Sequence, residues 1–376
     1  MDKKIVCINQ YPLNPRTKRL SYVEAFQSTG ITFEYWDTTE YFGLSDSRVD
    51  CQESAEYVRK YSTLNEIKEA LSTFDTEHSI FFIGIPEKSE YIKFFRLLAD
   101  YKCRVIRVNP CANTLQIQKT IGDLISFFCS PKKILAYLDR KNFGLYCKVH
   151  NISYYDIFSS SVHSNRTRSI NHPDYDDYHY VLKDNGGKVA DGRYAVFYDS
   201  YFPLHPDFKY IHKLKMDVDY SHYLASMNHF FDWVEKKYDL EVIIAAHPSS
   251  NYGKDDFNGR KIIKWHTCDL TINAQLVINQ SSNSTSFAVL ANKPIIFITC
   301  DDLEKCRYMS RYVTTLSDYL GKSKINIDQE DYDNIEITQI EEGLRQKYIY
   351  SFLTDRTTEN KTNDEIFADY VKSQIN

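Results

Sequence analysis

Three features of the chain predict an α/β protein built from two Rossmann-like domains facing a central cleft. Apolar runs of strand length alternate with helical patterns through the first half, as in a parallel sheet with crossover helices. That alternation lapses in a stretch rich in glycine and aspartate, then restarts. Late in the second series, a strand, a turn crowded with hydroxyls, a helix and another strand follow without a break. At 376 residues the chain has room for two separate cores.

The first half reads as strands at Lys4–Asn9, Thr32–Trp36, Ser79–Ile85 and Cys103–Val108. Ser79–Ile85 is a near-continuous apolar run ending at Pro86, the mark of a strand covered on both faces. Helical patterns lie between and after them, at Arg16–Ser28, around Tyr91–Leu98, at Thr120–Phe128 and at Pro131–Lys141. The stretch KDNGGKVADG between Leu182 and Arg193 is the linker candidate, since glycines and aspartates without an apolar cluster favour open chain.

The second half reads as strand Tyr194–Tyr198, a long helix from about Asp217 to Tyr238 with a one-sided apolar stripe, and strands Glu241–Ala246 and Lys261–Trp265. The segment Gln275–Thr299, a helix near Arg311–Leu320 and closing helices near Thr338–Leu353 and Asn363–Gln374 follow. The expected domains are therefore 1–185 and 193–335, with the helices of 336–376 packing back on the first.

Composition excludes several classes. Net charge is −5, which argues against a protein that coats nucleic acid. The nine cysteines form no C-x-x-C pair and read as reduced, mostly buried thiols. Tyr (30) and Phe (22) are abundant, and core packing accounts for most of them. No G-x-G-x-x-G and no G-x-x-x-x-G-K-[ST] occurs. The N-terminal apolar run is too short for a signal peptide and nothing approaches a spanning segment, so a cytoplasmic protein is expected.

Ligands of open α/β sheets bind beyond the carboxyl ends of the strands. Three segments of the second half meet that description. Asp199 leaves strand Tyr194–Tyr198, and His247-Pro248 directly follows VIIAA. Ser281, Ser282, Ser284, Thr285 and Ser286 fill the turn after Leu276–Asn279, where helix amides and hydroxyls suit a phosphate. Plain helix capping by Ser and Thr competes with that reading. His247 could neutralise phosphate charge, and Asp199 could act as general base. His205 and Asp207, in a loop that repeats the His-Pro pair, are candidate acceptor contacts. No residue set has metal-ligand spacing, so no metal and no cofactor is expected.

The His247-Pro248 pair, followed some thirty residues later by strand–QSSNSTS–helix–KPIIF, resembles bacterial glycosyltransferases of the two-Rossmann GT-B type. The nearest parallel is with enzymes that use CMP-activated acidic sugars, the sialyltransferases and Kdo transferases. The resemblance spans roughly Tyr194–Thr299 and implies that His247, Pro248 and the Ser281–Ser286 run bind the nucleotide's phosphate, with Asp199 as base. The acid is followed here by Ser200 and Tyr201 rather than by a second acid and a glycine.

The function so implied is metal-independent transfer of a sugar from a nucleotide-sugar donor, CMP-linked by preference, to a hydroxyl of a growing surface polysaccharide: O-antigen, capsule or lipooligosaccharide. Polyol-phosphate transferases, which use CDP-glycerol-like donors, carry a similar His-Pro and Ser/Thr pattern and stay open. So do a nucleotide-sugar epimerase and a non-enzymatic nucleotide- or sugar-binding protein. The partners implied are the nucleotide-sugar donor and a glycan or glycolipid acceptor, with peripheral contact at the inner membrane. Lys132, Lys133, Arg140 and Lys141 on the helix Pro131–Lys141 suit anionic lipid, although an ordinary solvated face accounts for the same residues.

Overall fold

A computed structural model describes residues 2–43, 53–109, 128–183, 187–205, 218–253 and 255–375. The chain divides into two compact units, each carrying one parallel sheet.

The first unit holds β1 (Ile5–Asn9), β2 (Phe33–Asp37), β3 (Val58–Lys60), β4 (Ile80–Gly84), β5 (Arg104–Val108), β6 (Asp156–Ser159) and β7 (Arg168–Ser169) in the order β3-β2-β1-β4-β5-β6-β7. Alternate residues of β1 and β4 enter different cores, because successive side chains of a strand point to opposite faces. Ile5, Cys7, Ile80 and Phe82 join one core, with Phe26 and Phe367. Val6, Ile8, Phe81 and Ile83 join the other, with Phe94 and Phe143. Both faces are therefore apolar, which is why these strands read as unbroken hydrophobic runs.

The second unit holds β8 (Tyr194–Tyr198), β9 (Glu241–Ala246), β10 (Ile262–Lys264), β11 (Leu276–Asn279), β12 (Ile295–Thr299) and β13 (Lys324–Asn326), again all parallel, in the order β10-β9-β8-β11-β12-β13. Every residue of β8 is buried. Helix Tyr220–Tyr238 covers it through Tyr223, Met227, Phe230, Phe231 and Val234. Asp219 starts that helix by accepting from the amides of Ser221 and His222 at 2.9 and 3.2 Å; the expected start at Asp217 lies outside the described residues.

Some boundaries differ from expectation. The helix expected at Arg16–Ser28 is two pieces, Pro15–Leu20 and Val23–Gln27, interrupted where Tyr22 adopts a left-handed φ of 52°. The helix beginning at Pro131 runs on to Val149. The one expected at Thr120–Phe128 lies, but for its last residue, outside the described residues. The units meet in sequence at Asn171 and His172, not within 184–192. Helix Pro173–Lys183 belongs to the second unit, where it packs on helices Thr267–Asn273 and Thr285–Leu290. Of the closing helices, Glu342–Tyr348 stays with the second unit, whereas Asn363–Ile375 returns to the first. There Phe367 packs against Phe26, Phe82 and Phe158, and Tyr370 donates to Asp156 at 2.9 Å. Among the described residues seven cysteines are free thiols, of which Cys129 is exposed rather than buried.

Candidate functional site

Strand order in the second unit reverses at β8, which has β9 on one side and β11 on the other. Open α/β sheets offer their ligand crevice at such a switch point, beyond the carboxyl ends. Register sets the neighbours there. Tyr198 lies opposite Ala245 on β9 and Asn279 on β11. The next residues along these three strands bring Asp199, His247 and the hydroxyl-rich turn to one edge. Across the switch point itself, Ser281 Oγ donates to Ser200 Oγ at 3.1 Å.

Asp199 is only 5% exposed, and both its carboxylate oxygens are engaged. Oδ1 accepts from the Tyr201 amide and from the Tyr252 hydroxyl, each at 2.7 Å, and Oδ2 accepts from the His247 amide at 3.0 Å. Burial raises the carboxyl above its ordinary range, opposed by these three donors and by the nearby His205. Burial, followed by the charge of Asp199, raises the Tyr252 phenol, which therefore keeps its proton to donate. Asp199 was expected to face an acceptor hydroxyl as a base. Instead it is buried and ties its own strand end to the segment His247–Tyr252.

His247 opens a turn in which the Ser250 amide donates back to its carbonyl at 2.9 Å, with Pro248 exposed at the next position. The Ser249 amide donates to His247 Nδ1 at 3.1 Å. A nitrogen that accepts carries no proton, so His247 is neutral here and bears its hydrogen on Nε2. Nε2 lies 3.3 Å from Nε2 of His205, with the rings edge-to-face at 78° and centroids 4.4 Å apart. The two imidazoles share one proton, donated by His247 and accepted by His205. His205, ranked in the sequence as an acceptor contact, thus belongs to the same cluster; Asp207 lies outside the described residues. Beneath the turn, Ser250 Oγ is buried without a hydrogen-bond partner.

The hydroxyl run differs more from expectation. Asn279 Oδ1 accepts from the Ser282 amide at 2.9 Å and Ser282 Oγ from the Ser284 amide at 3.2 Å. The Thr285 and Ser286 amides donate to the carbonyls of Ser282 and Asn283, both at 3.4 Å. Thr285 Oγ1 donates to the Ser282 carbonyl at 2.9 Å and accepts from Asn279 Nδ2, and Ser286 Oγ donates to the Asn283 carbonyl at 3.4 Å. Thr285 and Ser286 are fully buried. Most of the proposed cradle thus satisfies itself, in the way local Ser, Thr and Asn bonds commonly do. Ser281, Ser282 and Ser284 keep partial exposure.

Tyr252, Ser200 and Gln280 were missed in the sequence. Gln280 is buried and accepts from the Tyr223 hydroxyl at 2.9 Å, fixing the end of β11 to helix Tyr220–Tyr238. Ser200 carried a signal in its place directly after Asp199; Tyr252 and Gln280 carried none. Among the described residues, no group of three or more His, Cys, Asp or Glu is arranged to hold a metal ion.

No protein-family model and no curated protein matches the chain. Among solved structures, the wall teichoic acid polymerase TagF is similar at a TM-score of 0.50 and 10% identity, over 99% of this chain and 89% of that one. The two-sheet α/β fold is of the GT-B type. A UDP-GlcNAc 2-epimerase from Methanocaldococcus jannaschii has a TM-score of 0.44 and 13% identity, over 98% of this chain and 99% of its own. The glycosyltransferase SnogD from Streptomyces nogalater has 0.40 and 12%, over 99% and 100%. At these identities the likeness is one of fold.

Proposed function

We propose that the chain is a transferase that draws on a nucleotide-activated donor and passes the activated group to a hydroxyl of a bacterial surface polysaccharide. The observation that carries this reading is the His205–His247 couple at the carboxyl edge of the second sheet, one strand from the switch point. An imidazole can accept a proton once its acceptor nitrogen leaves its present partner, as Nε2 of His205 does on turning from His247 to an incoming hydroxyl. The couple can therefore take the proton of an attacking hydroxyl and, once cationic, stand beside the phosphate of the departing nucleotide. This chemistry needs no divalent ion. Ser200, Ser281 and Ser282 line the edge as donors to the phosphate, and Asp199 positions His247 through its backbone.

Two groups fit the transferred portion. A sugar from a CMP-linked donor follows from the His-Pro and Ser/Thr resemblance. A polyol phosphate from a CDP-linked donor is favoured by the likeness to TagF over nearly the whole chain, one such TagF structure (TM-score 0.50, 11% identity) having been soaked with CDPG. Thermal-shift measurements against CMP, CDP, UDP and GDP test the common part, because a ligand of the native state raises the melting temperature. A cytidine nucleotide should shift wild type and leave His247→Ala unshifted. If no nucleotide raises the melting temperature, the reading fails. CMP-sugar and CDP-glycerol, each incubated with an acceptor, then separate the two groups by the product formed.

A further inference from the structure

Helix Pro131–Val149 is nineteen residues long, yet only Phe143 is buried. Leu135, Leu138, Leu145 and Val149 are 63%, 46%, 63% and 67% exposed. At about 100° per residue these four fall, with Asn142, within an arc of about 80°. Lys141 and Lys148 flank the arc on one side and Lys132 flanks it on the other. The helix carries five basic residues (Lys132, Lys133, Arg140, Lys141, Lys148) and one acid, Asp139, a net +4 in a chain of net −5. Asp139, about 40° from Leu135 on the same wheel, is engaged by helix Ser89–Tyr91, where it accepts from the Ser89 amide at 3.3 Å. The apolar stripe adds nothing to the core of its own unit.

We propose that this helix lies on the surface of an anionic lipid bilayer. Leu135, Leu138, Leu145 and Val149 would sit at the boundary between headgroups and acyl chains, with Lys132, Lys141 and Lys148 over lipid phosphates. Interfacial helices are built this way, with an apolar face bordered by lysines. Charge decides against the obvious rival. In a symmetric contact between two copies, each helix would set its +4 against the other's, whereas anionic headgroups complement it. Among the described residues no helix is long and apolar enough to cross a membrane, so contact here is with the surface. This inference rests on the helix and is independent of the transferase reading.

Flotation of the full chain with phosphatidylcholine vesicles, with and without phosphatidylglycerol, tests it. Binding should need phosphatidylglycerol and weaken as salt is raised. Leu135→Ser with Leu145→Ser should abolish it at an unchanged melting temperature, since both side chains are exposed. Lys141→Gln with Lys148→Gln should weaken it about tenfold to thirtyfold, from roughly 1 kcal/mol per basic residue near the surface. The proposal is overturned if phosphatidylglycerol vesicles do not bind, or if both variants float as wild type does. It is equally overturned if the wild type is a dimer that the leucine variant dissociates and that ignores vesicles.

Discussion

Asp199 holds the main chain of His247 and leaves its ring to another partner. Its Oδ2 accepts from the His247 amide at 3.0 Å, while the Ser249 amide donates to Nδ1 of the ring at 3.1 Å. A carboxylate that orients a catalytic imidazole ordinarily accepts from Nδ1–H and fixes the tautomer directly. Here the tautomer is fixed by the turn, and the buried acid fixes the turn.

Asp199→Asn should therefore act mainly on folding. The amide retains one acceptor but presents an N–H2 to a position now occupied by donors, at a cost of about 1–3 kcal/mol in urea unfolding. Turnover should fall far less than the roughly 10²–10⁴-fold expected when a general base is lost. A folded Asp199→Asn protein with turnover reduced by the full amount would restore the acid as base.

His247→Gln and His205→Gln should each lower turnover by roughly 10²–10⁴-fold while far-UV circular dichroism stays that of wild type. Because the two rings work as one proton-sharing couple, the double variant should cost little more than either single one. Additive losses in this cycle would separate their roles.

Thr285→Ala removes a buried hydroxyl that both donates and accepts within its own turn. Stability should drop by about 1–3 kcal/mol with nucleotide affinity per folded molecule unchanged. Ser281→Ala should do the reverse, losing affinity at constant melting temperature. An exchange of these two outcomes would return the phosphate to the buried end of the run.

His222 Nδ1 lies 2.7 Å from Asp302 Oδ2, and this partner raises the imidazole above its ordinary value of 6.5. The folded state thus holds the His222 proton more tightly than the unfolded chain does. Its contribution is complete below about pH 6.5 and disappears as pH rises through the raised folded value. The melting-temperature gap between wild type and His222→Ala should accordingly be full in mildly acidic buffer and close in alkaline buffer. Hydrogen bonds from Lys305 and His222 lower Asp302 despite its burial, so the gap should also shrink below about pH 3.8. A gap independent of pH would show that His222 contributes only by packing.

The central strands were legible because each is covered on both faces and so leaves an unbroken apolar run, as in FFIGI, YAVFY and VIIAA. The short strands β3, β6, β7 and β13 were missed: two to four residues long and mixed in polarity, they take their place from their neighbours' register. The glycine stretch resembled a domain junction, yet Asn171 marks the boundary. Its amide donates to Asn363 Oδ1 at 2.9 Å and its carbonyl accepts from Asn363 Nδ2 at 3.0 Å, a partnership across 192 residues that no local pattern announces. His247 and Asp199 could be found from strand ends and Pro248. Their roles depend on Ser249 and Tyr252, and the hydroxyl run was overread because Ser and Thr satisfy their own turn.

Helix Asn363–Ile375 also bears on the order in which the chain acquires its structure. Residues 172–355 are contiguous and can close their core as soon as they have emerged. The core around Phe26 and Phe82 lacks Phe367, Tyr370 and Val371 until the chain has been made past residue 371. Domains normally mature from the amino terminus during translation. Here the unit that begins earlier in the sequence closes its core only after the other has been made, and until then Phe26 and Phe82 lack the ring that covers them.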